Sequence, residues 1–283
     1  MKITKLQKNY HRYEILSDGL KHEQSIYFSS DWHFDNKKTD EKAIKLLLDD
    51  CKKNNGLIIL NGDTLCLMQG KYDPRKSKSA IKEKHNNDNY IMSVIDDLVD
   101  FLTPYANNIL QINQGNHETS VSARMELDIL ELLVSKLNAK CNTKVQLGAY
   151  MGYIQLAFYN NHKSSGRVCN IAYSHGHSGG VVTKGTTIVQ RYASIFPDAD
   201  IIISGHSHDE WIVKHQQFGL NSNKKKLENK TQWHLKTGTY KEEYLNGSGW
   251  AVEKIGVPKS IGSIKGIITY DSGKDLDYNF SFI

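Results

Sequence analysis

The 283-residue chain is 24% charged and 39% apolar, enough to bury a large core, which excludes a collagen-like or grossly disordered polymer. A net charge of +5 suits an anionic partner without reaching the excess of a nucleic-acid coat. No apolar run reaches the roughly 20 residues of a membrane helix, the basic first residues lack the apolar stretch of a secretory leader, and Cys51, Cys66, Cys141 and Cys169 form no CxxC pair. The expectation is therefore a cytoplasmic protein with reduced thiols and no membrane association.

In chain order, Ser25–Ser29 reads as the first strand. A helix capped by Thr39 follows, with Asp40 and Glu41 in its first turn and Ile44, Leu47, Leu48 and Cys51 on one face. Leu57–Leu60 is a second strand. Tyr90 to Leu102 has helical periodicity and ends before Pro104. Ile109–Ile112 is a strand, followed by a helix through Leu127, Leu130, Val134 and Leu137. Val145–Tyr159 reads as a hairpin-like pair of strands around Gly152, and Val168–Tyr173 as another strand. A helix through Val189, Tyr192, Ala193 and Phe196 stops at Pro197. Asp200–Ser204 is a strand, and the remainder is β-rich. The alternation predicts an α/β or α+β layered fold, and no linker interrupts it, so residues 1–283 read as a single domain.

The chemistry follows the strands. Asp31 and His33 come after the first, Gly62-Asp63 after the second, Gly115-Asn116-His117-Glu118 after the third, His175-Gly176-His177 after the Val168 strand, and Gly205-His206-Ser207-His208 after the Asp200 strand. Open α/β sheets place their sites at such carboxyl ends. Asp31, His33, Asp63, Asn116, His175, His206 and His208 offer more donors than one mononuclear zinc needs, and suit two ions sharing a carboxylate. The mixture of oxygen and nitrogen donors favours manganese, iron or zinc, with manganese foremost. His177 has no place in this pattern and reads as a solvent or supporting residue.

The ordered motifs DxH, GD, GNHE, HG and GHSH, spread over Ile26 to Tyr240, resemble those of the calcineurin-like metallophosphoesterases. The resemblance implies a β-sandwich of two mixed sheets flanked by helices. It also implies a dinuclear centre in which Asp31, His33 and His208 hold one metal, Asn116, His175 and His206 hold the other, and Asp63 bridges them. His117 would protonate the leaving oxygen, and a water or hydroxide between the metals would attack phosphorus. Many relatives carry an acidic residue or histidine three positions after the bridging aspartate. This chain has Cys66 there, which leaves His117 without an orienting acid from that motif. Ser30-Asp31-Trp32-His33 resembles the opening motif of the bacterial DNA-repair exonuclease branch.

A basic insertion lies around residues 69–88, and from Lys71 to Lys84 six basic side chains face two acidic ones. Lys71, Arg75, Lys76 and Lys78 are candidate contacts to a phosphate backbone, the alternative being a solvated loop. Thr237-Gly238-Thr239 is expected to line the site with its backbone, and Trp32 either stacks on substrate or packs beneath the loop. The expected activity is hydrolysis of a phosphodiester in DNA, RNA or a nucleotide. Alternatives are a phosphomonoesterase and a non-enzymatic metal-binding scaffold. With no P-loop or coiled coil in the sequence, any motor would be a separate partner subunit.

Overall fold

Side chains alternate across the central strands as a pleated backbone requires. Tyr27, Ile58 and Leu60 pack on one side of their sheet, while Ile26, Phe28 and Ile59 pack on the other. The computed structural model describes residues 2–17, 19–67, 80–160, 166–177, 186–221, 225–245, 247, 250–253 and 255–283. Among these, strands numbered along the chain form two mixed sheets. One has the order β1 (Lys2–Gln7), β2 (Tyr10–Ser17), β7 (Met151–Asn160), β8 (Arg167–Ser174), β9 (Ile201–Ser204), β11 (Lys226–Lys236), β10 (Trp211–Asn221). The other has the order β13 (Asp277–Phe282), β12 (Ile264–Asp271), β3 (Lys21–Ser29), β4 (Leu57–Asn61), β5 (Ile109–Asn113), β6 (Gln146–Gly148).

Helices α1 (Glu41–Lys53), α2 (Tyr90–Leu102), α3 (Asn116–Met125) and α4 (Ile129–Cys141) belong to the crossovers between β3, β4, β5 and β6, which run parallel. The apolar faces of α1, α2 and α4 pack against the outer side of that sheet. The inner faces of the two sheets meet through Tyr13, Phe28, Leu156, Ile171, Ile203 and Leu235. Helix α5 (Thr187–Ile195) covers the far side of the seven-stranded sheet through Tyr192, which packs with Ala172, Phe196 and Ile202. The result is a two-sheet sandwich flanked by helices, as the resemblance implied. No described helix is long and apolar enough to cross a membrane.

Three local readings are corrected. Asp40, not Thr39, caps α1, its carboxylate accepting from the Ala43 amide at 2.9 Å. The Thr39 hydroxyl instead donates to the His33 carbonyl at 2.6 Å, tying the helix start to the Asp31–His33 loop. The Val145–Tyr159 segment is not a hairpin: β6 pairs with β5 in one sheet, whereas β7 pairs with β2 and β8 in the other. A short turn there carries the chain between sheets. Leu127 lies outside the helix predicted through it, which is α4 and begins at Ile129. Strands β1 and β2 and helix α3 were not anticipated.

Candidate metal centre

Strands β3, β4 and β5 of one sheet and β8 and β9 of the other send their following loops to a common place, where backbone hydrogen bonds join them. The Asp31 amide donates to the Gly62 carbonyl at 3.0 Å, that of His33 to Asp63 at 3.0 Å, and that of Gly205 to His175 at 2.9 Å. Gly62 has φ +88°, and a Cβ there would strike the His175 ring, so a side chain at this turn would displace a candidate donor. Five of the seven expected ligands adopt left-handed backbone: Asp31 (φ 54°), His33 (46°), Asp63 (49°), His206 (70°) and His208 (58°). Such strain gathers where the surrounding structure enforces it for a purpose.

The seven side chains converge as two abutting groups. In the first, Asp31, His33 and His208 bring their ligand atoms together. His33 Nε2 faces His208 Nε2 at 3.3 Å, and His208 Nε2 is 3.3 Å from Asp31 Oδ1. In the second, His175 Nε2 lies 3.2 Å from Asp63 Oδ2 and 3.2 Å from Asn116 Oδ1, which in turn is 2.7 Å from His206 Nδ1. The groups meet where His175 Nε2 approaches Asp31 Oδ1 at 3.9 Å. The His175 Nδ1–H donates to the Asn61 carbonyl at 2.8 Å, which leaves the Nε2 lone pair free to ligate.

This donor set fits divalent cations. Asp31 Oδ1 is buried and makes no hydrogen bond. Donors about 2.1 Å from a shared ion stand about 3.0–3.4 Å apart, which the 3.2 and 3.3 Å spacings match. Burial opposes ionisation of Asp31 and Asp63, yet His175 foremost, joined by His208 at Asp31 and His117 at Asp63, holds both carboxyls below the usual range. In return, against its own burial, His175 is pushed up to about 10 by Asp63 and Asp31. Burial and then His117 hold His33 well below the ordinary imidazole value, and burial and then His175 bring His206 down to about 4. The buried carboxylates thus need positive charge beside them, which a divalent cation supplies as well as a proton on His175 does.

His117 stands beside the second group rather than in it. Its Nε2 is 3.8 Å from Asp63 Oδ2, its amide donates to Asp63 Oδ1 at 3.0 Å, and its Nδ1–H donates to the Cys66 carbonyl. Glu118 lies beneath: Oε2 accepts from the Asp63 and Gly115 amides and Oε1 from that of Leu65. Burial, then the charge of Asp63, pushes its carboxyl up to about 8.

Other expected residues fall elsewhere. Lys71, Arg75, Lys76 and Lys78 lie outside the described residues. At the end of the basic insertion, Lys82 pairs with Glu41 at 2.5 Å and Lys84 with Asp97 at 2.7 Å, so both are neutralised locally. Trp32 is buried, donating to Ser29 Oγ at 2.6 Å and packing edge-on against Tyr240, so it packs and does not stack on substrate. His177 is exposed. Thr237 and Thr239 act through side chains as well as backbone: Thr237 Oγ1 lies 2.6 Å from Ser30 Oγ, which donates to Asp31 Oδ2, and Thr239 Oγ1 donates to the Asp31 carbonyl at 2.8 Å. Ser30, Asp35 and Tyr90 support the site without having been anticipated.

A family model described as calcineurin-like phosphoesterase matches residues 25–210. No curated protein matches the sequence significantly. Among solved structures, zinc-complexed Vps29 from Entamoeba histolytica is 12% identical with a TM-score of 0.39, the alignment covering 92% of this chain and 99% of that one. GAP50 of Plasmodium is 12% identical with a TM-score of 0.43, over 92% of this chain and 84% of that one. A Staphylococcus aureus protein proposed to be a 5′-nucleotidase is 14% identical with a TM-score of 0.49, over 93% of this chain and 54% of that one. The match over residues 25–210 contains all seven donors and His117, and the chain belongs to the calcineurin-like phosphoesterases, a family of metal-dependent phosphoester hydrolases.

Proposed function

We propose that the protein is a dinuclear metal-dependent phosphodiesterase acting on nucleic acid or nucleotides. The observation that carries this reading is the convergence of seven buried or half-buried donors in two abutting groups, with His117 beside them. Asp31, His33 and His208 would hold one divalent cation, Asn116, His175 and His206 the second, and Asp63 both, with manganese foremost and iron or zinc as alternatives. When bound, such a pair supplies Lewis acidity and lowers the pKa of a coordinated water towards neutrality.

The chain's own groups do the rest. Asp31 Oδ2 accepts from the His206 amide at 2.9 Å, which keeps Oδ1 directed at the first group. The His175 ring is fixed by the Asn61 carbonyl. His117, protonated at both nitrogens, keeps Nδ1–H on the Cys66 carbonyl and delivers the Nε2 proton to the leaving oxygen. A diester carries one negative charge where a monoester carries up to two, and clamping the dianion is the usual work of arginine. Among the described arginines, Arg12 is bound to Gln155 and Tyr159, Arg167 to the Lys274 carbonyl, and Arg124 and Arg191 are exposed on α3 and α5. That distribution favours the diester.

The test is turnover of bis(p-nitrophenyl) phosphate against p-nitrophenyl phosphate by the manganese-loaded protein, followed by single-stranded and duplex DNA. The diester is expected to lead by at least about tenfold in kcat/KM, and His117→Ala to lower kcat on DNA, whose alkoxide leaving group needs the proton, by about 10²–10⁴ with metal content unchanged. A monoester lead would make the protein a phosphatase. Undiminished DNA turnover in His117→Ala would remove the proposed proton donor.

A further inference from the structure

The Cys66 position raises a question that the loop geometry answers: with no acid there, what holds the His117 ring? Its Nδ1–H donates to the main-chain carbonyl of Cys66, not to a side chain. That carbonyl belongs to the Cys66–Leu67 peptide, and in a trans peptide the C=O and N–H point in opposite directions. The Leu67 N–H donates to Asp35 Oδ2 at 3.0 Å, and the Cys66 N–H donates to Asp35 Oδ1 at 2.5 Å. One carboxylate thus grips two successive amides and thereby turns the intervening carbonyl towards His117.

The grip is built, not incidental. Asp35 is buried, and the Tyr90 hydroxyl at the start of α2 also donates to Oδ2. Leu67 has φ +50°, a conformation that a bulky L-residue avoids unless its surroundings impose it. The Cys66 sulfur accepts its hydrogen bond from elsewhere, the Asn36 amide at 3.5 Å, and burial, then the charge of Asp35, pushes the thiol up to about 12. A carboxylate on one end of a peptide also polarises it, strengthening the carbonyl at the other end as an acceptor by roughly 10–30%.

We propose that Asp35 is a positioning residue for His117, acting through the Cys66–Leu67 peptide in place of a carboxylate touching the imidazole directly. The inference rests on the reading of His117 as proton donor to the leaving oxygen. Asp35 itself touches no reacting atom. Its effect is to keep the His117 ring in one orientation, with Nδ1 protonated and Nε2 facing substrate.

The experiment compares two diesters that differ in leaving group, methyl p-nitrophenyl phosphate and methyl phenyl phosphate, in Asp35→Asn, Tyr90→Phe, His117→Ala and the Asp35→Asn/His117→Ala double variant. An amide at position 35 can accept one main-chain N–H but opposes the second. Asp35→Asn should therefore lower kcat on the phenyl ester by about tenfold or more and on the nitrophenyl ester by less than about threefold, with KM little changed, because nitrophenolate leaves without a proton. Tyr90→Phe, which keeps the carboxylate, should show the same selectivity in weaker form. Adding Asp35→Asn to His117→Ala should cost nothing further. In the metal-free protein, ¹⁵N spectra of labelled histidine should show His117 Nδ1 protonated in the wild type and a mixture of tautomers in Asp35→Asn. Equal losses on both esters, additivity with His117→Ala or an unchanged tautomer would overturn the assignment. If Asp35→Asn does not fold, the same criteria applied to Tyr90→Phe decide the matter. If His117→Ala shows no leaving-group selectivity, the proton-donor reading fails and this inference with it. Selectivity in His117→Ala without selectivity in Asp35→Asn or Tyr90→Phe sinks the Asp35 role alone.

Discussion

In the second donor group the protein itself fixes the ligating residues: the Asn61 carbonyl sets the His175 ring and the His117 amide holds Asp63 Oδ1. In the first, Asp31 is held through Oδ2 by the His206 amide, but its Oδ1 makes no hydrogen bond, His33 Nδ1 has no partner to set its ring, and two imidazole nitrogens face each other at 3.3 Å. One half of the centre is thus prepared before any cation arrives, whereas the other gathers donors that only a cation satisfies together. Preparation of ligands by surrounding hydrogen bonds governs affinity as much as ligand identity does.

The most severe way to break the comparison is to remove the group proposed to serve both halves. Asp63→Asn keeps an acceptor for the His117 amide but loses the charge, and kcat/KM for bis(p-nitrophenyl) phosphate should fall by several powers of ten. A control away from the centre is His234 on β11, whose pKa is brought down to about 4 by burial and then by His215. Between about pH 6.5 and 4 the unfolded chain binds a proton that folded His234 refuses, so stability falls as the pH drops through this window, by about 3 kcal/mol. Urea unfolding of His234→Gln should show that much less acid dependence, whether or not metal is present. The comparison sharpens with a graded chelator titration followed by metal analysis: the first-group ion should leave at a chelator strength at least about tenfold lower than the second. In Asp31→Asn only the second-group ion should remain. Simultaneous loss of both ions would erase the distinction. The smallest effect belongs to the surface, where Lys140→Ala breaks an exposed pair with Asp100 and should leave the urea-unfolding midpoint nearly unchanged.

The donors were legible because each follows a strand rich in β-branched or other apolar residues, most of them beside a glycine, and because their order is that of one family. Supporting residues gave no such sign. Asp35 sits in a loop whose importance comes from two amides far along the chain, and Tyr90 reads as an ordinary first residue of a helix. Helix α3 was missed because its described core contribution is mainly Val121, with the site residues His117 and Glu118 buried beside it. Strand β1 is an edge strand with mostly exposed side chains and no clear alternation. The supposed hairpin around Gly152 misled because chain proximity does not say which sheet a strand joins; that is decided by long-range pairing with β2.

The left-handed loops carry an implication for thermal tolerance. A non-glycine residue in that conformation is disfavoured by about 1–2 kcal/mol, and glycine escapes the penalty while adding about 0.5–1 kcal/mol of freedom to the unfolded chain. Replacing half-buried His208 with glycine removes that penalty along with its contact to Asp31, so the melting point of the metal-free protein should stay nearly level while turnover is abolished. Heat resistance and usefulness are set against each other at the tips of these loops, and selection for the first alone would dismantle the second.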